Sequence, residues 1–363
     1  MPGACFFQHE NQSYPPSLSD FGDLHFGKKS DLLECLKIEE NVPTVKPQAV
    51  IIDGAALIHK LRPDHSLHRK FEDYALKLFL PYIEHMLEQD NCTRVDVVWD
   101  KYLPDSLKGS MRIKRGSGTR RRVEPHNSIP PNWENFLREE KNKEELFRYL
   151  ATTVVKGKVP HGKDIVSTYS DSVISFTVRD RPSLVPCTQE EADGRLLLHV
   201  ADCVVDGSRE ILIKTVDNDV AVLAISHYQQ LNIQELWVEI AAGKQKHLIG
   251  AHTLVERLGE DKARALIGFH AFTGSDCTSA CVGRSKKTAW TLSRPVTNTG
   301  LDSAMQQLER CVVLMYDRTS NETEVNVARK VLFAKKGRAM NAIPPTREAL
   351  MQHTRLASSG GKV

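Results

Sequence analysis

The chain has no apolar run long enough to span a bilayer, which predicts no membrane helix. It has no CxxC pair either. Its eight cysteines, Cys5, Cys35, Cys92, Cys187, Cys203, Cys277, Cys281 and Cys311, are scattered, which removes a thiolate zinc site and a dithiol redox motif from consideration. No GxGxxG follows any strand-like segment, so dinucleotide binding is not expected. The opening residues, MPGACFFQHENQSYPP, lack a positive segment leading into an apolar one, so no secretory leader is expected and the location is read as nuclear or cytoplasmic. Internal repeats are absent. An excess of charge is absent too: the net formal charge is +3 over 363 residues, which by itself says little about partners.

What is present is the composition of a soluble globular protein, with 40% hydrophobic and 26% charged residues. Residues 1–47, rich in Pro, Gly, Ser and charge, read as a peripheral arm. Residues 48–294 then alternate strand and helix. AVIIDGAAL is a short buried strand stopped by Asp53-Gly54, and FEDYALKLFLPYIEHMLEQ is a helix that Pro81 is expected to kink. RVDVVWD is a second strand. An insertion at about 101–160 follows, with a helical stretch around NWENFLREEKNKEELFRYLATTV. KDIVSTY and SVISFTV are strands, TQEEADGRLLLHVADCVVDG a helix with Thr188 as its N-cap, and EILIKTV a strand leading into the helix DVAVLAISHYQQL. IQELWVEIAA and QKHLIG are two further strands, and residues 295–363 form a helical extension with a flexible tail. Strands alternating with helices predict an α/β fold, a largely parallel sheet covered by helices on both faces.

Three of these strands end in acids: Asp53 after VII, Asp100 after VVW, and Asp217 with Asp219 after ILIKTV. Aspartate is a common turn and cap residue, so any one such ending is unremarkable. Three together are different, because ligands of a parallel sheet gather beyond the carboxyl ends of its strands. Hard oxygen ligands converging there suit Mg²⁺ or Mn²⁺, and two such ions about 3.5–4 Å apart form a clamp for phosphodiester hydrolysis. Glu190, Glu191 and Asp193 open a helix, where acids also favour the helix dipole; helical spacing pairs Glu190 with Asp193 more readily than Glu191 with Asp193. Asp276 follows a Gly-Ser turn and precedes what reads as a small-residue helix, on which Cys277 and Cys281 would share a face as small core residues. Arg284, Lys286 and Lys287 come next. The run KGSMRIKRGSGTRRR, from Lys108 to Arg122, holds seven Lys or Arg and no acid, and reads either as a solvated loop or import signal or as a phosphate-steering surface.

The order of these elements over about residues 49–290 resembles the flap endonuclease and XPG family of 5′ nucleases, within the PIN-like superfamily. Within that resemblance the chain looks closest to uncharacterised animal proteins sharing the same core. VIIDGAALIHKL is similar to the family's first strand and helix, which makes Asp53 a metal ligand. VVWDKYLPDSLKGSMRIKR is similar to its second strand and basic arch, which implies Asp100 as a ligand and Lys108 and Arg115 as catalytic contacts to the scissile phosphate. EEADGR resembles the family's acid-Ala-acid helix start and selects Glu191 with Asp193, against the pair that helical spacing prefers. TVDNDVAVL resembles the family's DxD, giving Asp217 and Asp219. TGSDCTSACVGRSKK resembles the step into a helical hairpin, at about 274–290, giving Asp276 as a ligand and Lys286 and Lys287 as nucleic-acid contacts.

The resemblance thus implies a two-metal nuclease acting on nucleic acid, DNA before RNA, with Arg120, Arg121 and Arg122 steering the strand. Three departures bear on this. An arm of 47 residues precedes the first strand, Ser285 stands at the hairpin's second glycine, and a GSGTRRR loop replaces the arch, so selection for a free 5′ end is not implied. Two other classes fit the sequence less well. A nuclease fold serving only as a nucleic-acid or protein scaffold has no chemical need for so many acids. A phosphotransferase built on Asp53 wants an acid two residues on, where Ala55 stands.

Overall fold

The computed structural model describes residues 7–10, 13–36, 44–102, 118–187, 192–242, 245–292 and 301–360. Two compact units emerge, one of residues 41–253 and one that joins residues 1–40 to 254–363.

The 41–253 unit is built on seven strands. They are β1 (Ala49–Asp53), β2 (Arg94–Val98), β3 (Asp164–Tyr169), β4 (Ser172–Ser175), β5 (Glu210–Thr215), β6 (Glu235–Ala242) and β7 (Gln245–Gly250), in the spatial order β4-β3-β2-β1-β5-β6-β7. The inner pairs are all parallel, and only the edges, β4 on β3 and β7 on β6, run antiparallel. The expected largely parallel α/β sheet is therefore present. All five residues of β1 and all five of β2 are buried, as strands covered on both faces must be.

Alternation along β2 shows the two faces. Val95 and Val97 belong to the apolar cluster with Leu57 and Ile58 of α1 (Gly54–Lys60), Ile83 of α2 (Leu80–Leu87) and Leu146 and Leu150 of α3 (Glu140–Val154). Between them, Asp96 points the other way and meets His199 of α4 (Ala192–Val205) at 2.6 Å. Chain direction explains the split. From β1 the chain winds one way through β2 to β3 and later returns on the other side of β1 as β5 and β6. Right-handed crossovers in opposite directions put their helices on opposite faces, with α4 and α5 (Asn218–Leu231) on the second. The point between β1 and β5 where winding reverses is where such a sheet leaves a crevice beyond its strand ends.

Sequence detail fits locally. The helix through Pro81 accommodates it with a π-helical turn, Ala75–Phe79, immediately before α2, because proline offers no N–H and its ring displaces the preceding carbonyl ladder. Trp99 stacks between Phe79 and Phe147, at 5.7 and 4.7 Å, so it is a core residue. Gly54 lets that indole approach: a Cβ there would meet Trp99 at 2.3 Å. In the 101–160 segment, the described part supplies Trp133, Phe136, Leu146 and Phe147 to the same core, and α3 is the crossover from β2 to β3.

On the α4 face an ionic network lies beside apolar packing, in which Leu196 and Val200 of the helix are buried. Arg94 reaches Asp96 at 2.7 Å and Asp202 at 2.8 Å, and Arg181 reaches Asp202 at 2.6 Å. Burial pushes the Asp96 carboxyl up, but the Arg94 guanidinium and the His199 ring outweigh it and hold the group at about 2. The network fastens α4 to β2 and β3.

The other unit is mostly helical, as expected. Its helices Leu266–Phe272, Leu301–Tyr316, Val325–Lys336 and Arg347–Gly360 bury Phe272, Val312, Val313, Leu332 and Leu350 in one cluster. One expectation fails here. Residues 276–281 are not helical; the chain from Thr273 to Ser285 is irregular, with Cys281 buried and Cys277 exposed, so the two thiols do not share a helix face. Hydroxyls explain the break, since Thr278 Oγ1 donates to Ala271 O at 2.5 Å and accepts from the Ser275 N–H at 3.1 Å, drawing the backbone into a turn.

Candidate metal centre

Asp53 is the last residue of β1 and the N-cap of α1. Its Oδ1 accepts from the Ala56 N–H at 2.9 Å, and its Oδ2 accepts from Thr215 Oγ1 at 3.0 Å. The side chain is thus fixed by two elements, the helix it starts and the neighbouring strand β5. Only 7% of the residue is exposed. Burial, followed by the charges of Asp100 and Asp217, raises its pKa from 3.8 to about 7, against the two hydrogen bonds that lower it.

Asp217 caps α5 as Asp53 caps α1. Its Oδ1 accepts from the Asp219 N–H at 2.9 Å, while its own N–H donates to Thr215 Oγ1 at 3.1 Å. Thr215 therefore bridges the two caps, donating to one aspartate's carboxylate and accepting from the other's backbone. Carboxylate oxygens of Asp217 and Asp219 approach within 4.8 Å. Asp100, just past β2, accepts from the Ala192 N–H at the first residue of α4 at 2.9 Å, which sets that helix start, with Asp193 in its first turn, against the end of β2.

The reversal of winding brings Asp53, Asp100 and Asp217 together from three strand ends, with Asp219 beside Asp217. That much of the expected set is assembled by the sheet. The donors are all hard oxygens, and oxygen ligands on opposite sides of a Mg²⁺-sized ion lie about 4.2 Å apart, so carboxylates whose oxygens come within 4.8 Å of each other can share one ion. A divalent cation also removes the mutual repulsion that lifts Asp53. The residues present fit such an ion.

Thr188, Glu190, Glu191, Lys108 and Arg115 lie outside the described residues. Asp276 belongs to the other compact unit, where Lys29 Nζ meets its Oδ2 at 2.9 Å. Lys286, expected on a nucleic-acid surface, is 2% exposed; its ammonium donates to His270 O and Thr273 Oγ1, both at 3.0 Å, and to Gly274 O at 2.5 Å. It therefore caps the end of the Leu266–Phe272 helix and is turned away from solvent. Lys287 pairs with Glu34, Arg120 with Glu145 and the Asn142 amide oxygen, and Arg122 with Glu124, while Arg121 is exposed. The sequence does not single out Thr215; its one signal is a hydroxyl at the end of β5, two residues before an aspartate.

No family model matches this chain, and no curated protein matches it. Solved structures do. The flap endonuclease of bacteriophage T5, in a pseudo-enzyme–product complex with DNA and metal ions, superposes with a TM-score of 0.42 at 13% identity over 87% of this chain and 99% of its own. The same phage protein co-crystallised with metal ions gives 0.40 at 12% identity, over 86% and 98%. Flap endonuclease-1 of Methanococcus jannaschii gives 0.38 at 15% identity, over 93% and 96%. At TM-scores under 0.5 these likenesses say nothing about the site, which stands on its own geometry.

Proposed function

We propose that this protein is a divalent-metal-dependent nuclease that hydrolyses phosphodiester bonds in nucleic acid, DNA in preference to RNA, with Mg²⁺ or Mn²⁺. The carrying observation is the buried Asp53 carboxyl, raised to about 7 by burial and by Asp100 and Asp217 arriving from two other strand ends. A scaffold gains nothing from that repulsion, which costs the metal-free fold stability at neutral pH.

In this reading Asp53, Asp100, Asp193, Asp217 and Asp219 hold two ions directly or through water. Bound there, the ions would lower the pKa of an attacking water and offset charge on the leaving oxygen. Thr215 keeps Asp53 and Asp217 in mutual register, and the Ala192 N–H does the same for Asp100. Glu191, Asp276, Lys108 and Arg115 enter this reading on the sequence resemblance. Arg121, exposed on the basic loop, is the retained steering contact, with Arg120 and Arg122 available on exchange of their acidic partners.

A second reading, a nuclease-like module that binds without cutting, is favoured by one observation: Lys286 is spent on internal carbonyls. The test is cleavage of end-labelled single-stranded, duplex and 5′-flap DNA and single-stranded RNA, with Mg²⁺, Mn²⁺ or chelator. Cutting that needs the metal supports the nuclease; salt-sensitive binding with no cutting on any substrate supports the module instead.

A further inference from the structure

Arg195 lies in α4, two residues after Asp193, and is 2% exposed. Its Nη1 donates to Ser170 O at 3.0 Å, and its Nη2 has no hydrogen-bond partner among the described residues. Burying a guanidinium is costly unless all its donors are satisfied, and an apolar side chain of like volume would serve stability better. A cation kept under those conditions calls for a reason other than packing.

The acceptor is unusual as well. Ser170 is one of two residues in the hairpin turn between β3 and β4, and it holds φ at +55°, a region non-glycine residues rarely adopt. Its neighbour in the turn, Asp171, forms an ion pair with Lys101. Lys101 follows Asp100, and Asp100 accepts from the Ala192 N–H that opens α4 at 2.9 Å. Three contacts therefore close a ring: α4 to the turn through Arg195, the turn to the end of β2 through Asp171 and Lys101, and β2 back to α4 through Asp100.

We infer that Arg195 is a positioning residue of the metal centre, fixing the first turn of α4, and so Asp193, against Asp100. This rests on the metal-centre reading above. The guanidinium reaches no substrate from its buried place; it acts by holding one ligand-bearing element to another, as outer residues of metal sites do.

The experiment is Mn²⁺ binding to the full chain by titration calorimetry, independent of turnover. Arg195→Met keeps the apolar stem and loses the fork; its Mn²⁺ dissociation constant is expected to rise ten- to a hundredfold. Arg195→Lys, able to reach Ser170 O with one donor, should recover part of that loss. Leu150→Ala, which opens a cavity on the opposite sheet face, is the control: it lowers thermal stability and leaves Mn²⁺ affinity as in wild type. Affinity of Arg195→Met within twofold of wild type overturns the assignment, and so does an equal loss in Leu150→Ala, which would mark general destabilisation. If wild type binds no Mn²⁺, the metal-centre reading itself fails and Arg195 loses its role with it. If wild type binds and Arg195→Met binds equally, only the role of Arg195 is lost.

Discussion

Asp53→Asn isolates the electrostatics of the centre. In the folded chain the Asp53 carboxyl titrates at about 7, against an ordinary value of 3.8. Between those values the folded state keeps a proton that the unfolded state has released, so stability falls as pH rises, by about 1.4 kcal/mol per pH unit for one proton. Over this window the loss is about 4 kcal/mol, an order-of-magnitude figure, complete once pH passes the folded value. Asparagine has no such proton. Its amide oxygen still accepts from Ala56, and its amide nitrogen can donate to Thr215 Oγ1, so the local hydrogen bonds survive in altered form.

Metal-free wild type and Asp53→Asn are therefore expected to have similar stability near pH 4 and to diverge up to pH 8, where the variant is the more stable. The assay is urea unfolding with chelator present, followed by tryptophan fluorescence; three of the four tryptophans, Trp99, Trp133 and Trp237, lie in the 41–253 unit. Added Mn²⁺ at a hundredfold its dissociation constant should return about 2.7 kcal/mol to wild type and little to the variant. Parallel pH profiles for the two proteins would refute the reasoning, because Asp53 would then carry no burden that a cation could relieve.

Thr215→Val removes the hydroxyl that serves both caps, and should cost about 1–3 kcal/mol for the groups left unpaired, more at pH 8 than at pH 5 because Asp53 loses a donor that favours its charged form; chelated unfolding at the two pH values checks this. Gly54→Ala forces Cβ into the Trp99 ring, and is expected to lower stability by about 1–3 kcal/mol and weaken Mn²⁺ binding by moving Asp53 and Asp100 apart, read by unfolding and calorimetry. Arg94→Met strands the buried Asp96 carboxyl, with an expected loss of about 3–5 kcal/mol in urea unfolding. Lys286→Met should destabilise the unit that holds it, seen through Trp290, and leave the salt dependence of nucleic-acid binding unchanged.

The strand ends were legible because their signals are local. VII, VVW and ILIKT are apolar runs of strand length stopped by aspartate, and their alternation with helices dictates parallel pairing. Contacts made at a distance were not legible. Thr215 matters through Asp53, 162 positions away, and Arg94 through Asp202 and Arg181, which only strand order brings together. Lys286 was misread for a related reason. A lysine beside another in a Gly-Ser-rich stretch looks solvated, but here helix-end carbonyls compete successfully for its ammonium. The expected helix after Asp276 failed because hydroxyl side chains bonded to nearby backbone groups in place of the helical ladder.

The most direct measurement is cleavage of the best substrate by purified wild type and by Asp217→Asn/Asp219→Asn, each with Mg²⁺ and with chelator. Wild type is expected to cut only when the metal is present, and the double variant not at all, although it still folds and binds nucleic acid. Equal cutting by both proteins, or cutting that persists in chelator, would contradict a metal centre built on these aspartates.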